Sequence, residues 1–394
     1  MAALVFKTPD TEPIEAEVLE MIAELRTQLD FRVSNRPRQW VGSLRRLSFT
    51  RAVQASNSIE GYDASLDDVA AAIDDEPTLT TDEETQLALS GYRDAMTYVL
   101  QIANDPTAKV DEGILKSLHF MMLKHHLDKD PGRWRPGAIY VRRAATGETV
   151  YEGPSSEAVP DLIAAMVDEL ENSDAPVLVR GAMAHLNLVM VHPFRDGNGR
   201  MARCLQTLVL AREQIVAPAF SSIEEYLGRN TQAYYDVLAE VGQGAWNPQN
   251  SVRPWVRFCL TAHYHHARTM LRRIQETESL YVECAELAAK RDLPERVAGA
   301  LSEVAYGFRI RNSSYRAIVE VTAGEEISDL TASRDLRGLV DAKLLEPVGE
   351  RRGRYYLAMP EVRAIRDALR AHREPRETAD PFQLAEDRRQ LTLG

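Results

Sequence analysis

Cysteine is scarce: Cys204, Cys259 and Cys284 are the only three in 394 residues, and they stand far apart. Neither a disulfide framework nor the short paired spacing of a zinc knuckle is therefore indicated. Long apolar runs are missing too, and no stretch reaches the ~20 residues of a membrane-spanning helix. The opening MAALVFKTPDTEP has no basic segment leading into an apolar one, so no signal peptide is expected. Positive charge is in deficit, with 47 Lys and Arg against 59 Asp and Glu and a net charge of −12. That balance disfavours nonspecific nucleic-acid binding by the whole chain and repels polyphosphates at long range. Any capture of phosphate must come from a local reversal of charge. A cytoplasmic protein with no membrane partner is the expectation, and no repeat or low-complexity tract is evident.

What is present is concentrated in His192-Pro193-Phe194-Arg195-Asp196-Gly197-Asn198-Gly199-Arg200 and the following Met201-Ala202-Arg203. Histidine titrates near neutrality, so His192 is suited to take a proton from an attacking hydroxyl. Asp196 offers hard oxygen to Mg²⁺, which prefers one or two carboxylates together with phosphate oxygens and water. Gly197 and Gly199 lack Cβ atoms, so the backbone N–H groups around Asn198 can approach an anion closely. Helix formers from Met201 to Glu213 make these glycines the mouth of a helix, where free N–H groups and the helix dipole favour negative charge. Arg200 and Arg203, three apart, share a helix face and can grip one polyphosphate. The apolar run Val177 to Val191 predicts a buried helix that delivers His192 at its end, with Pro193 stopping it. Taken singly, a Gly-Asn-Gly is a turn and a His after an apolar helix is a core residue; their conjunction argues for phosphate chemistry.

This window resembles the signature of the Fic (filamentation induced by cAMP) family, His-Pro-Phe-x-Asp/Glu-Gly-Asn-Gly-Arg-x-x-Arg, and every fixed position is matched. The resemblance implies a mainly α fold, a Fic-type helical core with a small β-hairpin flap, and transfer of AMP from ATP to a Ser, Thr or Tyr hydroxyl of a protein, the chain itself included. It implies that His192 is the general base, Phe194 a buried anchor and Asp196 the Mg²⁺ ligand. Gly197, Asn198 and Gly199 become the phosphate cradle, with Arg200 and Arg203 on the phosphates. The same resemblance leaves open a different nucleotide donor or removal of AMP.

Three further segments extend it. Leu47 to Tyr62 (LSFTRAVQASNSIEGY) has helix-like apolar spacing and a glycine suited to a helix end. It resembles the family's inhibitory motif, Ser/Thr-x-x-x-Glu-Gly/Asn, through Ser56, Glu60 and Gly61. The resemblance implies that Glu60 pairs with Arg203 where the γ-phosphate belongs. Residues 137–152 (GAIYVRRAATGETVYE) predict a hairpin turning at Ala145-Thr146-Gly147. They resemble the family's flap, whose strand edge would dock the target protein. Tyr226 to Leu238 resembles the segment that shapes the nucleoside pocket, with Tyr234 preferred over Tyr235 as the contact to the base. The cluster His263, His265 and His266 lacks thiols or spaced carboxylates, so a surface helix face is expected there rather than a metal site.

The expected organisation is an N-terminal helical arm over 1–39 (helix from Pro13 to Leu29) and a Fic core over 40–275 with the inhibitory helix near 47–61. Further core helices are expected over Asp111–Leu127, Ser155–Glu171 and Pro254–Ser279. A linker helix (276–294), a winged helix-turn-helix domain (295–362, α+β) and a charged tail (363–394) follow. In the winged unit, helices are read at Glu295–Tyr306, Ser313–Val321 and Thr331–Asp341, then two strands around Gly349-Glu350-Arg351-Arg352-Gly353. Residues 331–356 carry six basic side chains against four acids, a weak footprint for DNA that would be read by Ser333, Arg334 and Arg337. DNA and a second copy of the chain are the further partners these features allow. A DNA-binding regulator with a nucleotide-sensing Fic core is the competing reading of the whole.

Overall fold

The structure is a computed structural model that describes all residues except 1–4, 35–37, 106, 143–145, 213–221, 374–377 and 394. In chain order its helices begin with α1 (Pro13–Ser34), α2 (Arg38–Ile59), α3 (Leu66–Ile73), α4 (Glu83–Ile102) and α5 (Glu112–Leu123). The central set is α6 (Val159–Asn172), α7 (Val177–Val191), α8 (Asn198–Arg212), α9 (Glu224–Arg229), α10 (Thr231–Gly242) and α11 (Arg253–Lys290). The last are α12 (Val297–Tyr306), α13 (Asn312–Ala323), α14 (Asp329–Asp341), α15 (Pro360–Ala371) and α16 (Pro381–Leu393). Two antiparallel hairpins join them, β1 (Tyr140–Arg142) with β2 (Thr149–Glu152) and β3 (Leu345–Val348) with β4 (Tyr355–Ala358). The mainly helical fold and the small hairpin agree with the sequence. Of the expected hairpin turn, Ala145 lies outside the described residues.

The pair α7 and α8 forms the centre because α7 is apolar on nearly every face and must be buried on every face. One core packs α4, α5 and α6 against it through Val99, Leu115, Leu118, Met166, Leu188 and Leu205. A second core packs α10 and α11 on the other side through Val237, Trp255, Val256 and Leu260. The Trp255 indole N–H donates to the Ala182 carbonyl at 2.7 Å, which fixes α11 to α7.

Several expectations give way here. The leading arm is part of the body: Phe6 is fully buried, its N–H donates to Asn187 Oδ1 at 2.9 Å and its carbonyl accepts from Asn187 Nδ2 at 3.0 Å. Helix α1 continues past Leu29 to Ser34 and lies along α11, where Arg253 pairs with Glu15 at 2.7 Å. A border at 275/276 does not exist as a break, because α11 runs through it without glycine or internal proline from Trp255 to Lys290. The charged tail is not a tail, since α15 buries Val362 in the core of the C-terminal helices and α16 buries Ala385 against the second core. His263 and His266 face inward, 1% and 8% exposed, instead of forming a surface face.

Residues 297–358 fold as three helices followed by the β3–β4 hairpin, around Leu301, Tyr315, Ile318, Leu336 and Leu345. Helix α14 starts two residues before the expected Thr331, because Ser328 caps it by accepting from the Thr331 N–H at 3.2 Å. Ser333, Arg334 and Arg337 are exposed on it. This unit is docked on α2: a Cβ at Gly42 would collide with Val321 of α13. The buried Arg309 reaches Asp67 at 2.8 Å and Asp68 at 3.2 Å.

Candidate active site

Helix α7 ends at His192 in the left-handed region, φ 51° and ψ 57°, with its N–H still donating to the Leu188 carbonyl at 3.0 Å. Pro193 follows, so the helix cannot continue and the imidazole is turned out of the helical path. Nδ1 lies 3.0 Å from the Val189 carbonyl and must carry the proton to donate there. The Nε2 lone pair is thereby left to accept, the tautomer a general base requires. Burial pushes the imidazole below its ordinary value and Arg135 reinforces this, opposed by the Val189 bond, Glu60 and Asp196.

The loop after His192 is held from both sides. Phe194 is fully buried and stacks on His119 with ring centroids 3.7 Å apart. His119 Nε2 lies 3.0 Å from the Asp196 carbonyl, while its Nδ1 accepts the Gly132 N–H at 2.8 Å. Arg135 donates from Nε to the His192 carbonyl at 2.8 Å, and its N–H donates to the Pro193 carbonyl at 2.8 Å. Its other guanidinium nitrogens reach the carbonyls of Gly137 and Pro154, so one side chain ties the catalytic loop to the flap. Sequence reasoning missed both His119 and Arg135 as site residues. Arg135 lies just before the hairpin and His119 within the helix expected over Asp111–Leu127, and no motif marks either.

The mouth of α8 lies where the glycines predict. Gly197 has φ +72°, and a Cβ there would come within 2.9 Å of Leu123 Cδ1, so only glycine fits. The Asn198 side chain spans the Phe194 backbone, accepting its N–H and donating to its carbonyl, both at 2.9 Å. It is a brace, and what Asn198 can offer an anion is its backbone N–H. Asp196 is half-buried and accepts the Gly197 N–H at 2.7 Å. Among the described residues no group of three or more His, Cys, Asp or Glu forms a metal site. One carboxylate beside a phosphate mouth suits an Mg²⁺ that arrives with a nucleotide. Arg200 and Arg203 are each 1% exposed. Arg200 Nε and Nη1 and Arg203 Nη1 are buried without a hydrogen-bond partner, a cost of about 1–3 kcal/mol each that an anion would remove.

Glu60 sits in this mouth. Helix α2 ends as Gly61 turns to φ +88°, with the Tyr62 N–H donating to the Asn57 carbonyl at 3.1 Å. This places Glu60 Oε1 2.6 Å from Arg203 Nη2 and so close to Gly199 that a Cβ there would collide with it. Ser56, fully buried, accepts from Arg203 Nε at 2.7 Å, and its carbonyl accepts from Nη2 at 2.9 Å. Tyr62 covers Arg200, whose guanidinium is 5.1 Å from the ring centroid.

Tyr234 is not placed to touch a base. It is 1% exposed, and its hydroxyl lies 3.0 Å from His185 Nε2, whose Nδ1 donates to Gln206. Tyr235 is 45% exposed, and its hydroxyl donates to the Ile59 carbonyl at 3.2 Å beside Glu60. The inward turn of α10 falls on the first of the two tyrosines, which the sequence pair alone does not decide. In the flap, Tyr151 donates to the Met190 carbonyl at 2.8 Å, and Glu152 at the end of β2 pairs in a parallel bridge with Ala245. Among the described residues β1 has no strand on its outer edge.

The chain is similar to known proteins in sequence and in fold. Residues 109–210 match the Fic/DOC family. Protein adenylyltransferase Fic of Nematostella vectensis is 24% identical over 256 residues, 64% of this chain and 55% of that protein. Protein adenylyltransferase fic-1 of Caenorhabditis briggsae is 31% identical over 145 residues, 35% of this chain and 27% of its own length. The chain thus spans about half or less of these curated relatives. In fold it is similar to a Fic family protein from Desulfovibrio desulfuricans G20, with a TM-score of 0.57 at 23% identity, covering 90% of this chain and 98% of that one. It is also similar to Fic-1 from C. elegans, with a TM-score of 0.53 at 21% identity, covering 66% of this chain and 72% of that one. Residues 109–210, with His192 and the helix mouth near their end, are the part of the chain that is similar to the Fic/DOC family.

Proposed function

We propose that this protein transfers AMP from ATP to a hydroxyl of a protein and that α2 holds the reaction in check. One observation carries the reading: an imidazole with a free Nε2 lone pair stands beside a helix mouth whose two buried arginines have unmatched donors. Relatives named protein adenylyltransferase support ATP as the donor. The acceptor hydroxyl attacks the α-phosphorus as its proton passes to His192 Nε2, and the bond to the β-phosphate breaks to release pyrophosphate. The N–H groups at the start of α8, with Arg200 and Arg203, hold the phosphate oxygens in line. Asp196 would hold Mg²⁺, which supplies neutralisation of phosphate charge. The target segment docks along β1, and Tyr235 is the tyrosine available to the nucleoside. In the closed arrangement Glu60 occupies the anion position and takes Arg203 away from the γ-phosphate.

The test is incubation of wild type, Glu60→Gly and His192→Ala with labelled ATP, GTP or UTP, followed by mass spectrometry of modified hydroxyls. AMP on Ser, Thr or Tyr, increased by Glu60→Gly and absent in His192→Ala, is the expected result. Labelling from UTP or GTP alone would overturn the choice of donor. Equal labelling by wild type and Glu60→Gly would remove the brake and leave the transfer.

A further inference from the structure

Among the described residues, the side-chain hydrogen bonds of Arg203 run to Ser56 and Glu60, at the end of α2. Nε donates to Ser56 Oγ, and Nη2 donates to the Ser56 carbonyl and to Glu60 Oε1. Any release of the Glu60 brake that moves α2 removes these bonds together. Something that stays behind must then keep the guanidinium in the helix mouth.

Tyr234 of α10 stays behind. Its hydroxyl lies 3.0 Å from His185 Nε2 on α7, and His185 Nδ1 lies 2.7 Å from Gln206 Oε1 on α8. His185, Tyr234 and Gln206 are at most 2% exposed, so bulk water does not compete for these bonds. Trp255 packs against the imidazole with ring centroids 4.8 Å apart and fixes its plane. Gln206 stands three residues beyond Arg203 on the same face of α8, which sets the three side chains behind the arginine.

The direction of this chain of bonds is determined. An amide oxygen only accepts, so His185 Nδ1 carries the proton and Nε2 accepts from the Tyr234 hydroxyl. Burial lowers the imidazole to about 3, opposed by the Gln206 bond and reinforced by Arg203, so the ring is neutral at neutral pH. With its one proton committed to His185, the phenol oxygen can only accept elsewhere. Arg203 is the cation that acts on it: burial pushes the Tyr234 phenol up, and the guanidinium draws it down. Arg203 Nη1, the nitrogen that a Cβ at Gly199 would meet at 3.2 Å, is the donor left without a partner in the closed arrangement.

We infer that Tyr234, oriented by His185 and Gln206, is a positioning residue whose hydroxyl oxygen holds the Arg203 guanidinium in the helix mouth once Ser56 and Glu60 let go. The inference rests on the proposed role of Arg203 at the γ-phosphate. It ties Tyr234 to the phosphates through Arg203 and not to the nucleoside.

The experiment is calorimetric titration, with ATP or ADP in the presence of Mg²⁺, of the full chain carrying Glu60→Gly and His192→Ala, which removes the brake and stops turnover. In this parent, Tyr234→Phe keeps the ring and should weaken ATP at least fivefold and ADP less than twofold. On top of Arg203→Ala it should have no further effect on ATP, because the hydroxyl acts through the guanidinium. Gln206→Leu leaves the hydroxyl in place without fixing its direction; it should weaken ATP at least twofold with ADP unchanged, and it replaces Tyr234→Phe if that variant loses the parent's melting temperature. Equal weakening of ATP and ADP would overturn the proposal and make Tyr234 a nucleoside or packing residue. Unchanged ATP affinity, or a further loss on top of Arg203→Ala, would overturn it as well. Failure of the underlying reading looks different: a parent that binds no ATP, or an Arg203→Ala that weakens ATP and ADP alike, takes Arg203 off the γ-phosphate and this proposal with it.

Discussion

At Glu60 one carboxylate holds Arg203, the arginine that the proposed function assigns to a substrate phosphate. Its partner Arg203 is 1% exposed, whereas Glu60 itself is 27% exposed on its side chain, so the pair is only partly desolvated. Hydrogen bonds to charged groups of this kind are worth about 1.5–3 kcal/mol, and tenfold in rate corresponds to about 1.4 kcal/mol. Glu60→Gly should therefore raise initial rates of ATP-dependent labelling about 10- to 100-fold, measured by incorporation of labelled AMP. The same variant makes His192 harder to protonate. In the proposed reaction neutral imidazole is the active form, and burial with Arg135 holds its pKa below the ordinary value while Glu60 and Asp196 push the other way. Removing Glu60 deletes one upward influence. Activity of Glu60→Gly should stay level from pH 8 down to 6.5 and fall only below that, as the ring takes up its proton. A midpoint above 6.5 in the pH–rate profile would refute the assigned environment.

At the scale of elements, the flap offers a one-residue test of docking. Ile139 directs its carbonyl to Gly153, so in an antiparallel pair the alternate position, Tyr140, directs its N–H and carbonyl outward. Tyr140→Pro removes that outward donor without breaking the ladder to β2. One backbone hydrogen bond is worth about 0.5–1.5 kcal/mol net, which predicts a KM for the target protein ~2- to 10-fold higher with the KM for ATP unchanged. Tyr140→Ala controls for the lost ring. Elements also mark what was legible in the sequence. Helix α7 was readable residue for residue, since an apolar run bounded by prolines leaves no choice, and the glycines at 197 and 199 announced the start of α8. The brace role of Asn198, the stacking of His119 on Phe194 and the bond from Arg135 to the His192 carbonyl were not readable. They depend on segments more than 50 residues apart meeting in space, and Asn198 has a side chain whose partner only the loop geometry selects. The choice between Tyr234 and Tyr235 failed for a related reason: adjacent positions on a helix differ by about 100°, and the sequence does not say which faces the core.

On the scale of the whole molecule, the C-terminal helices are joined to the body through buried charge. Arg309 is 1% exposed on its side chain and holds Asp67 and Asp68 at the start of α3, while its N–H donates to Asp67 at 2.6 Å. Arg46 of α2 adds a contact to Glu303 of α12 at 2.9 Å. Breaking a buried pair from one side leaves a charge without compensation and costs about 3–5 kcal/mol. The cost of Arg309→Ala falls on the junction, because the main cores on either side of it are separate and only small clusters, such as Leu47 and Ala70 with Phe308, bridge them. All four tryptophans, Trp40, Trp134, Trp246 and Trp255, precede the C-terminal unit, so their fluorescence reports the body while circular dichroism reports both parts. In urea, Arg309→Ala should lose ~3 kcal/mol or more and show a dichroism transition that begins before the fluorescence one; Arg309→Lys, which keeps the charge, should lose less than half as much. Since α2 is packed against this unit at one end and carries Glu60 at the other, the variant should also label faster than wild type and slower than Glu60→Gly. Coincident transitions together with wild-type labelling would mean that the C-terminal unit neither folds with α2 nor helps to hold it.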